Sequence, residues 1–306
     1  MSSLNTFKTP ILLMVYNRPE LTRLTLQSLQ ALKPPVVYIA CDGPSPDRHQ
    51  DLDKVEQTCR EIVDAIGEVS QLIWRKSSHH QGCRRGCSSA ITWFFTQVEA
   101  GIILEDDCRP RLSFFYFCQE LLGRYENDER IWQISGHNAI APIQIYNDYY
   151  FSNYGSIWGW ATWRNRWQYY DGEFTLLDLN LAEQKMKKIF FKPEEVQFRL
   201  DNIKKIKNGY DTWDIQWAYA KHAHKGMSIV PRINMIQNIG FGQDATHTIS
   251  TKDLRSKQTS AEMDFPLKHT KIIAIDRELD EQFFSSLNIK NSRLKQLLRW
   301  FLPQWK

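Results

Sequence analysis

The sequence lacks the features that mark several large functional classes. Its six cysteines, Cys41, Cys59, Cys83, Cys87, Cys108 and Cys118, form no Cys-x-x-Cys pair. That argues against a zinc site and for reduced, buried thiols; only Cys83 and Cys87 have the i, i+4 spacing to share a helix face. There is no Gly-x-Gly-x-x-Gly and no phosphate-binding P-loop, which disfavours dinucleotide binding and P-loop hydrolysis. The apolar run Ile11 to Val15 is far too short for a secretory signal or a membrane span, so the expected location is cytoplasmic. A net charge of +4 is too small to imply nucleic-acid binding. Internal repeats and low-complexity segments are missing as well.

What remains is an ordinary globular composition of 306 residues, 42% hydrophobic and 24% charged, long enough for a sizeable core. Short apolar runs alternate with helical patterns through the first third. Pro10 to Tyr16, Val36 to Ala40, Gln71 to Trp74 and Ile102 to Leu104 read as buried strands. Between them lie helices with Leu21, Leu24, Leu26 and Leu29 on one stripe, then roughly Asp51 to Ile66, then Ser88 to Val98 after a polar loop holding Gly82 and Gly86. The expected fold is α/β, a mostly parallel central sheet flanked by helices. Further along, Phe114 to Tyr125 reads as a helix and Ile131 to Gly136 as a strand. Leu181 to Lys207 is a charged helical region, and Trp213 to Trp217 opens another helix. Aromatic residues cluster between Tyr146 and Tyr170, as in a packed core or the wall of a sugar cleft.

The fourth strand ends in Glu105-Asp106-Asp107, and Pro110 forces a stop soon after. Three adjacent carboxylates raise one another's pKa unless a cation sits among them. A hard divalent ion, Mn²⁺ or Mg²⁺, suits oxygen ligands completed by phosphate. Other strand ends carry Arg18 and Asp42, where ligands of open α/β sheets bind. Together these outline a nucleotide-diphosphate site. Arg84 and Arg85 are the candidate cationic partners of the phosphates. His247 is a candidate for completing the metal site, and His137 and Asn138 for binding sugar hydroxyls. On the residues alone, Asp211 or Asp214 reads as a cap for the helix that follows.

In this order the motifs resemble glycosyltransferases of the GT-A fold, and within them the inverting N-acetylglucosaminyltransferase I type, over roughly residues 9 to 250. A bacterial group labelled glycosyltransferase family 2, or haemolytic-protein-like, is similar in its Glu-Asp-Asp-Cys and Trp-Gly-Trp-Ala-Thr-Trp runs. The resemblance implies a GT-A fold with an irregular acceptor-side half. It makes Asn17 and Arg18 nucleotide contacts after the first strand and Asp42 the acid on the base. Glu105-Asp106-Asp107 becomes the "EDD" form of the DxD motif, with Asp107 the direct metal ligand and Glu105 and Asp106 acting through water or ribose. Gly155 to Trp163, including Trp160, becomes a loop facing donor and acceptor, matched in pattern rather than identity. Trp213-Asp214-Ile215-Gln216-Trp217 is similar to the segment whose first acid is the catalytic base, Asp214 here. Phe241 to His247 becomes a loop closing over the diphosphate.

The implied organisation is a nucleotide-sugar half, 1–110, an acceptor-binding and catalytic half, 111–265, and a tail, 266–306, with no counterpart in the family beyond residue 250. The implied reaction moves a sugar from a UDP-sugar donor, UDP-GlcNAc first among them, to a glycan or lipid-linked acceptor with the help of Mn²⁺ or Mg²⁺, as in building a bacterial surface glycan. A sugar nucleotidyltransferase shares the sheet and the metal, and a non-catalytic membrane-active protein is the reading outside enzymes. Asn291 to Lys306 reads as a basic amphipathic helix, with Leu294, Leu297, Leu298 and Phe301 on one face and Arg293, Lys295 and Arg299 off it. Such a helix docks on an anionic membrane surface, on the core or on a second copy.

Overall fold

The computed structural model describes residues 6–48, 50–175, 177–241 and 258–287. His247 and the amphipathic segment 291–306 lie outside them. The first third alternates as expected: β1 (Ile11–Val15), α1 (Pro19–Leu32), β2 (Val36–Cys41), α2 (Asp51–Ile66), β3 (Gln71–Lys76), α3 (Gly82–Gln97) and β4 (Ala100–Glu105). Then come β5 (Cys108–Pro110), α4 (Leu112–Arg124), β6 (Ile131–Ser135), β7 (Tyr149–Ser152), β8 (Trp160–Trp163) and the short α5 (Arg164–Trp167). The chain continues with α6 (Leu179–Lys187), α7 (Pro193–Lys207), α8 (Asp214–Ala223), β9 (Met227–Pro231), β10 (Ile236–Asn238) and α9 (Arg277–Ser286).

One sheet runs in the order β3-β2-β1-β4-β8-β6-β9-β7. Neighbours β3, β2, β1 and β4 are all parallel, and so are β6 and β9. β8 is antiparallel to both β4 and β6, and β7 is antiparallel to β9. β5 and β10 form a separate antiparallel pair. Both faces of the sheet are covered, and β1 shows how. Ile11, Leu13 and Val15 enter one core with α1, α2 and α4, while Leu12 and Met14 enter another with α3 and α8. Successive strand residues point to opposite faces, so a strand apolar throughout must be buried on both.

Three expectations need correction. Of the expected stripe, Leu26 and Leu29 are buried and Leu21 is half-buried, but Leu24 is exposed; Thr22, Thr25 and Leu32 add to the buried face of α1. Buried threonines fit that face because Thr22 Oγ1 bonds the Arg18 carbonyl and Thr25 Oγ1 the Asp106 carbonyl. The charged region expected from Leu181 to Lys207 is two helices, divided ahead of Pro193, which starts α7. Helix α3 begins at Gly82, six residues before the expected Ser88, for a reason given below. All six cysteines are free. Among the described residues no helix is long and apolar enough to cross a membrane.

Candidate active site

Because β1, β2 and β4 are parallel, their carboxyl ends share one edge of the sheet. Arg18 leaves β1, Asp42 leaves β2, and Glu105-Asp106-Asp107 closes β4. Arg18 donates through Nη1 to Asp107 Oδ2 at 3.1 Å, through Nε to Asp106 Oδ2 at 3.2 Å, and through Nη2 to Asp106 Oδ1. Burial opposes the guanidinium charge, but Asp106 and Asp107 hold its pKa above the ordinary arginine value. Asp106 is itself buried. Burial pushes its carboxyl up to about 6, against the pull of Arg18. Its role here is to fix Arg18; it does not line the cavity described next.

A cavity of about 770 Å³ opens beyond this strand end, within the size range of small-molecule sites. Arg18, Glu105, Asp107, Asn238 and Gly240 line one end, Trp213 and Asp214 form a wall, and Arg199, Lys221 and His222 lie further in. The segment after β10 wraps Asp107. Ile239 N–H donates to its carbonyl at 2.9 Å and Asn238 Nδ2 approaches Oδ1 at 3.4 Å. A Cβ on Gly240 would stand 2.1 Å from Asp107 Oδ2, so the absence of a side chain there makes room for the acid.

Glu105 Oε1 is buried without a hydrogen-bond partner, and burial, with Asp107 adding repulsion, holds its carboxyl well above the usual range. An orphaned buried carboxylate oxygen is costly unless something pairs with it. Three carboxylates against one guanidinium leave two negative charges when all are ionised, which a dication would cancel. The donor set therefore fits Mn²⁺ or Mg²⁺ held by Asp107, with Glu105 beside it. Among the described residues no group of three or more His, Cys, Asp or Glu side chains is arranged as a complete metal cage. Mg²⁺-type sites commonly take only one or two carboxylates and leave the rest to water and phosphate.

Asp214 is the first residue of α8 and lines the cavity. Its side chain does not cap that helix: Trp213 holds the cap position and no side-chain cap bond is made. Thr212 Oγ1 donates to Asp214 Oδ1 and so orients it, while Trp213 and Trp217 beside it are buried. The capping acid is Asp211, but it caps a different helix. Its carboxylate accepts the N–H groups of Cys83 and Arg84, both at 2.9 Å, at the start of α3. A carboxylate there satisfies orphan donors and complements the helix dipole. That is why α3 extends back through the stretch that reads as a polar loop. Asp211 does not line the cavity.

The other expected site residues divide. Asp42 stands at the β2 end as expected, but its carboxylate closes the following loop, accepting Gly43 N–H at 2.9 Å and Gln81 N–H at 3.0 Å and pairing with His80 Nδ1 at 2.8 Å. Asn17 donates its amide to Asp51, which also takes the Tyr16 hydroxyl and the Ser45 N–H. Neither Asp42 nor Asn17 lines the cavity. Arg84 does not line it either: its guanidinium donates to the Tyr210 carbonyl at 2.7 Å and pairs with Glu173 at 3.4 Å. Trp160 is a correction of another kind. It is fully buried in β8, its ring 5.7 Å from that of Trp213, and it supports the wall from behind. The part of its segment that does face the cavity is Gly155 to Trp158. His137 lines the cavity, while Asn138 is buried and bonded to the Pro231 carbonyl. Sequence reasoning missed Gln133, whose Oε1 accepts from Trp217 Nε1 at 2.9 Å and locks the wall. It also missed Thr212, though the hydroxyl two residues before Asp214 was a usable signal.

No protein-family model matches the chain, and among curated proteins none matches it either. Solved structures similar to it at a low level include two UDP-glucose pyrophosphorylases. One is a UDP-glucose pyrophosphorylase complexed with UDP-glucose, 10% identical with a TM-score of 0.33, the match covering 53% of this chain and 78% of that one. The other is an apo UDP-glucose pyrophosphorylase, 9% identical with a TM-score of 0.40, covering 76% and 93%. At these scores neither likeness bears on what the site does.

Proposed function

We propose that this chain is a metal-dependent inverting glycosyltransferase, moving a sugar from a nucleotide-diphosphate donor to a hydroxyl of a glycan or glycoconjugate. A UDP-sugar, UDP-GlcNAc first, is the donor to try. The observation that carries the reading is that Glu105 at the end of β4, Asp107 in the turn after it and Asp214 on α8 line one cavity from different elements. When bound at Asp107, Mn²⁺ or Mg²⁺ supplies Lewis-acid neutralisation of the departing diphosphate. Arg18 adds a fixed positive charge beside it and keeps Asp107 oriented. Asp214 takes the proton of the acceptor hydroxyl through the carboxylate that Thr212 positions. Attack from the face opposite the leaving group forms the new C–O bond as the anomeric C–O bond to the diphosphate breaks, inverting the centre. Trp213 and Trp217 keep that wall rigid and apolar.

A sugar nucleotidyltransferase, the activity the two solved structures are named for, would use the same strand ends. Against it, β1 leads through Tyr16-Asn17-Arg18 directly into Pro19 at the start of α1, with no glycine-rich loop to cradle a triphosphate. Incubation of the protein with a panel of UDP-sugars and Mn²⁺ separates the two. Release of UDP without added pyrophosphate supports the transferase. Formation of UTP only when pyrophosphate is supplied overturns it. Asp214→Asn is expected to lower turnover by about 10²- to 10⁴-fold while leaving nucleotide binding intact; full activity in that variant would remove Asp214 from the mechanism. Membrane docking by residues 291–306 belongs to the same proposal, since a lipid-linked acceptor lies at a membrane surface. Liposome flotation of a chain ending at residue 290 tests it, and unchanged binding would end that part of the reading.

A further inference from the structure

The cavity extends past Asp214 along one face of α8 to Lys221 and His222. Seven residues of helix place Lys221 about 10 Å beyond Asp214. This inner arm holds polar atoms that the fold leaves unmatched. His222 is 2% exposed, its Nε2 lies 2.8 Å from the Asn153 carbonyl, and its Nδ1 is buried with no partner. A carbonyl only accepts, so Nε2 carries the hydrogen and Nδ1 presents a bare lone pair. That lone pair requires a donor, such as a hydroxyl. Arg199, from α7, has the opposite deficit: its Nε–H is buried and unpartnered.

The guanidinium of Arg199 lies against aromatic faces, 4.9 Å from the ring centre of Tyr154 and 5.3 Å from that of Phe190. Among the described residues no carboxylate pairs with it. Glu195, one turn earlier on α7, accepts the Tyr154 hydroxyl, and Asp280 accepts from Ser152 and from the Asn153 backbone and amide. Lys221 Nζ donates to the Asn153 carbonyl at 2.9 Å and to Ser228 Oγ at 2.5 Å, both neutral. Among the described residues, then, neither Arg199 nor Lys221 is hydrogen-bonded to a carboxylate. At Lys221 the repulsion from Arg199 outweighs the attraction of Asp280.

We propose that the inner arm binds an acidic sugar unit of the acceptor, its anionic oxygens on Arg199 and Lys221 and one of its hydroxyls donating to His222 Nδ1. The shared chemistry is a carboxylate or phosphate carried on a sugar. This rests on the glycosyltransferase reading for the word acceptor, but the subsite is defined by its own residues. Its distance from Asp214 makes it a remote handle, where binding energy orients the hydroxyl that reacts.

Binding is measured by tryptophan fluorescence, without metal or nucleotide, against four probes: glucuronate, glucose 6-phosphate, glucose and inorganic phosphate. Glucuronate, glucose 6-phosphate or both are expected to bind at least about tenfold tighter than glucose and than phosphate alone. Which of the two binds identifies the anion. Arg199→Gln is expected to remove that preference, and Arg199→Lys to keep part of it. Equal binding of glucose, or an unchanged preference in Arg199→Gln, overturns the proposal. Should Arg199→Gln fail to fold, the selectivity of the wild-type protein among the four probes decides alone. Acid-sugar binding in a protein that never releases UDP would leave the subsite standing and sink the transferase; UDP release with no acid preference would do the reverse.

Discussion

Arg18 is the residue on which the acidic strand end depends. It is the cation that touches both Asp106 and Asp107, and Asp106 is almost wholly buried. Replacing it by methionine keeps much of its apolar volume and leaves two carboxylates uncompensated. Breaking such a pair from one side costs about 3–5 kcal/mol. Urea unfolding should show a loss of that order for Arg18→Met. Adding Asp106→Asn should restore part of it, because the two changes act on one network and are not additive. Mn²⁺ should also stabilise the single variant more than the wild type, since the ion replaces the missing charge. A loss below about 1 kcal/mol would place Arg18 among ordinary surface ion pairs. The importance of Arg18 and Asp107 was legible from strand-end position and charge. The buried role of Asp106 was not, because three adjacent acids look alike until the backbone sets which way each one points. Trp160 failed for a similar reason: a cluster of tryptophans reads equally well as a cleft wall or as the core behind it.

At the scale of elements, the start of α3 is held by a residue from another part of the chain. Asp211 reaches across 128 positions of sequence to accept the Cys83 N–H. Gly82, the first residue of α3, has φ +80°, a left-handed backbone that glycine adopts freely. Nothing local announces this cap, so reading residues 82–87 as a loop was the natural inference from Gly82 and Gly86. By contrast β1, β2 and β4 were plain in the sequence, because strands buried on both faces must be continuously apolar and end at polar or turn-forming residues. Asp211→Ala is expected to destabilise the protein by about 1 kcal/mol, the ordinary value of a lost helix cap. Amide exchange resolves it further: Cys83 and Arg84 should lose protection while β1 and β4 keep theirs. Unchanged exchange at those two amides would mean that the carboxylate contributes no cap. The same residue ties α3 to the loop that presents Asp214, so a fall in turnover with intact nucleotide binding should accompany the loss of stability.

Across the whole molecule, a sheet covered on both faces leaves its carboxyl edge as the place where polar groups gather, and the cavity lies there. Its acidic end was expected from sequence; its cationic inner arm was not. Arg199 sits in the region that reads as a charged helix and Lys221 in the helix that Trp213 to Trp217 opens, and only the packing of α7 against α8 half-buries the first and buries the second. Lys221 makes that burial measurable. Desolvation, helped by Arg199, pushes its ammonium down to about 7. An unfolded lysine keeps its proton to about pH 10.4. Below pH 7 both states are protonated, and the fold bears the full cost of a buried charge. Between about pH 7 and pH 10 the unfolded chain holds a proton that the folded chain has released, so stability rises with pH by at most about 1.4 kcal/mol per unit. Lys221→Met removes this linkage. The wild-type stability minus that of Lys221→Met, from urea unfolding at pH 6, 7, 8 and 9, should be flat at the acid end and climb toward the alkaline end. Parallel behaviour over the whole range would show that Lys221 keeps its proton in the folded state, compensated by a partner that the described residues do not supply.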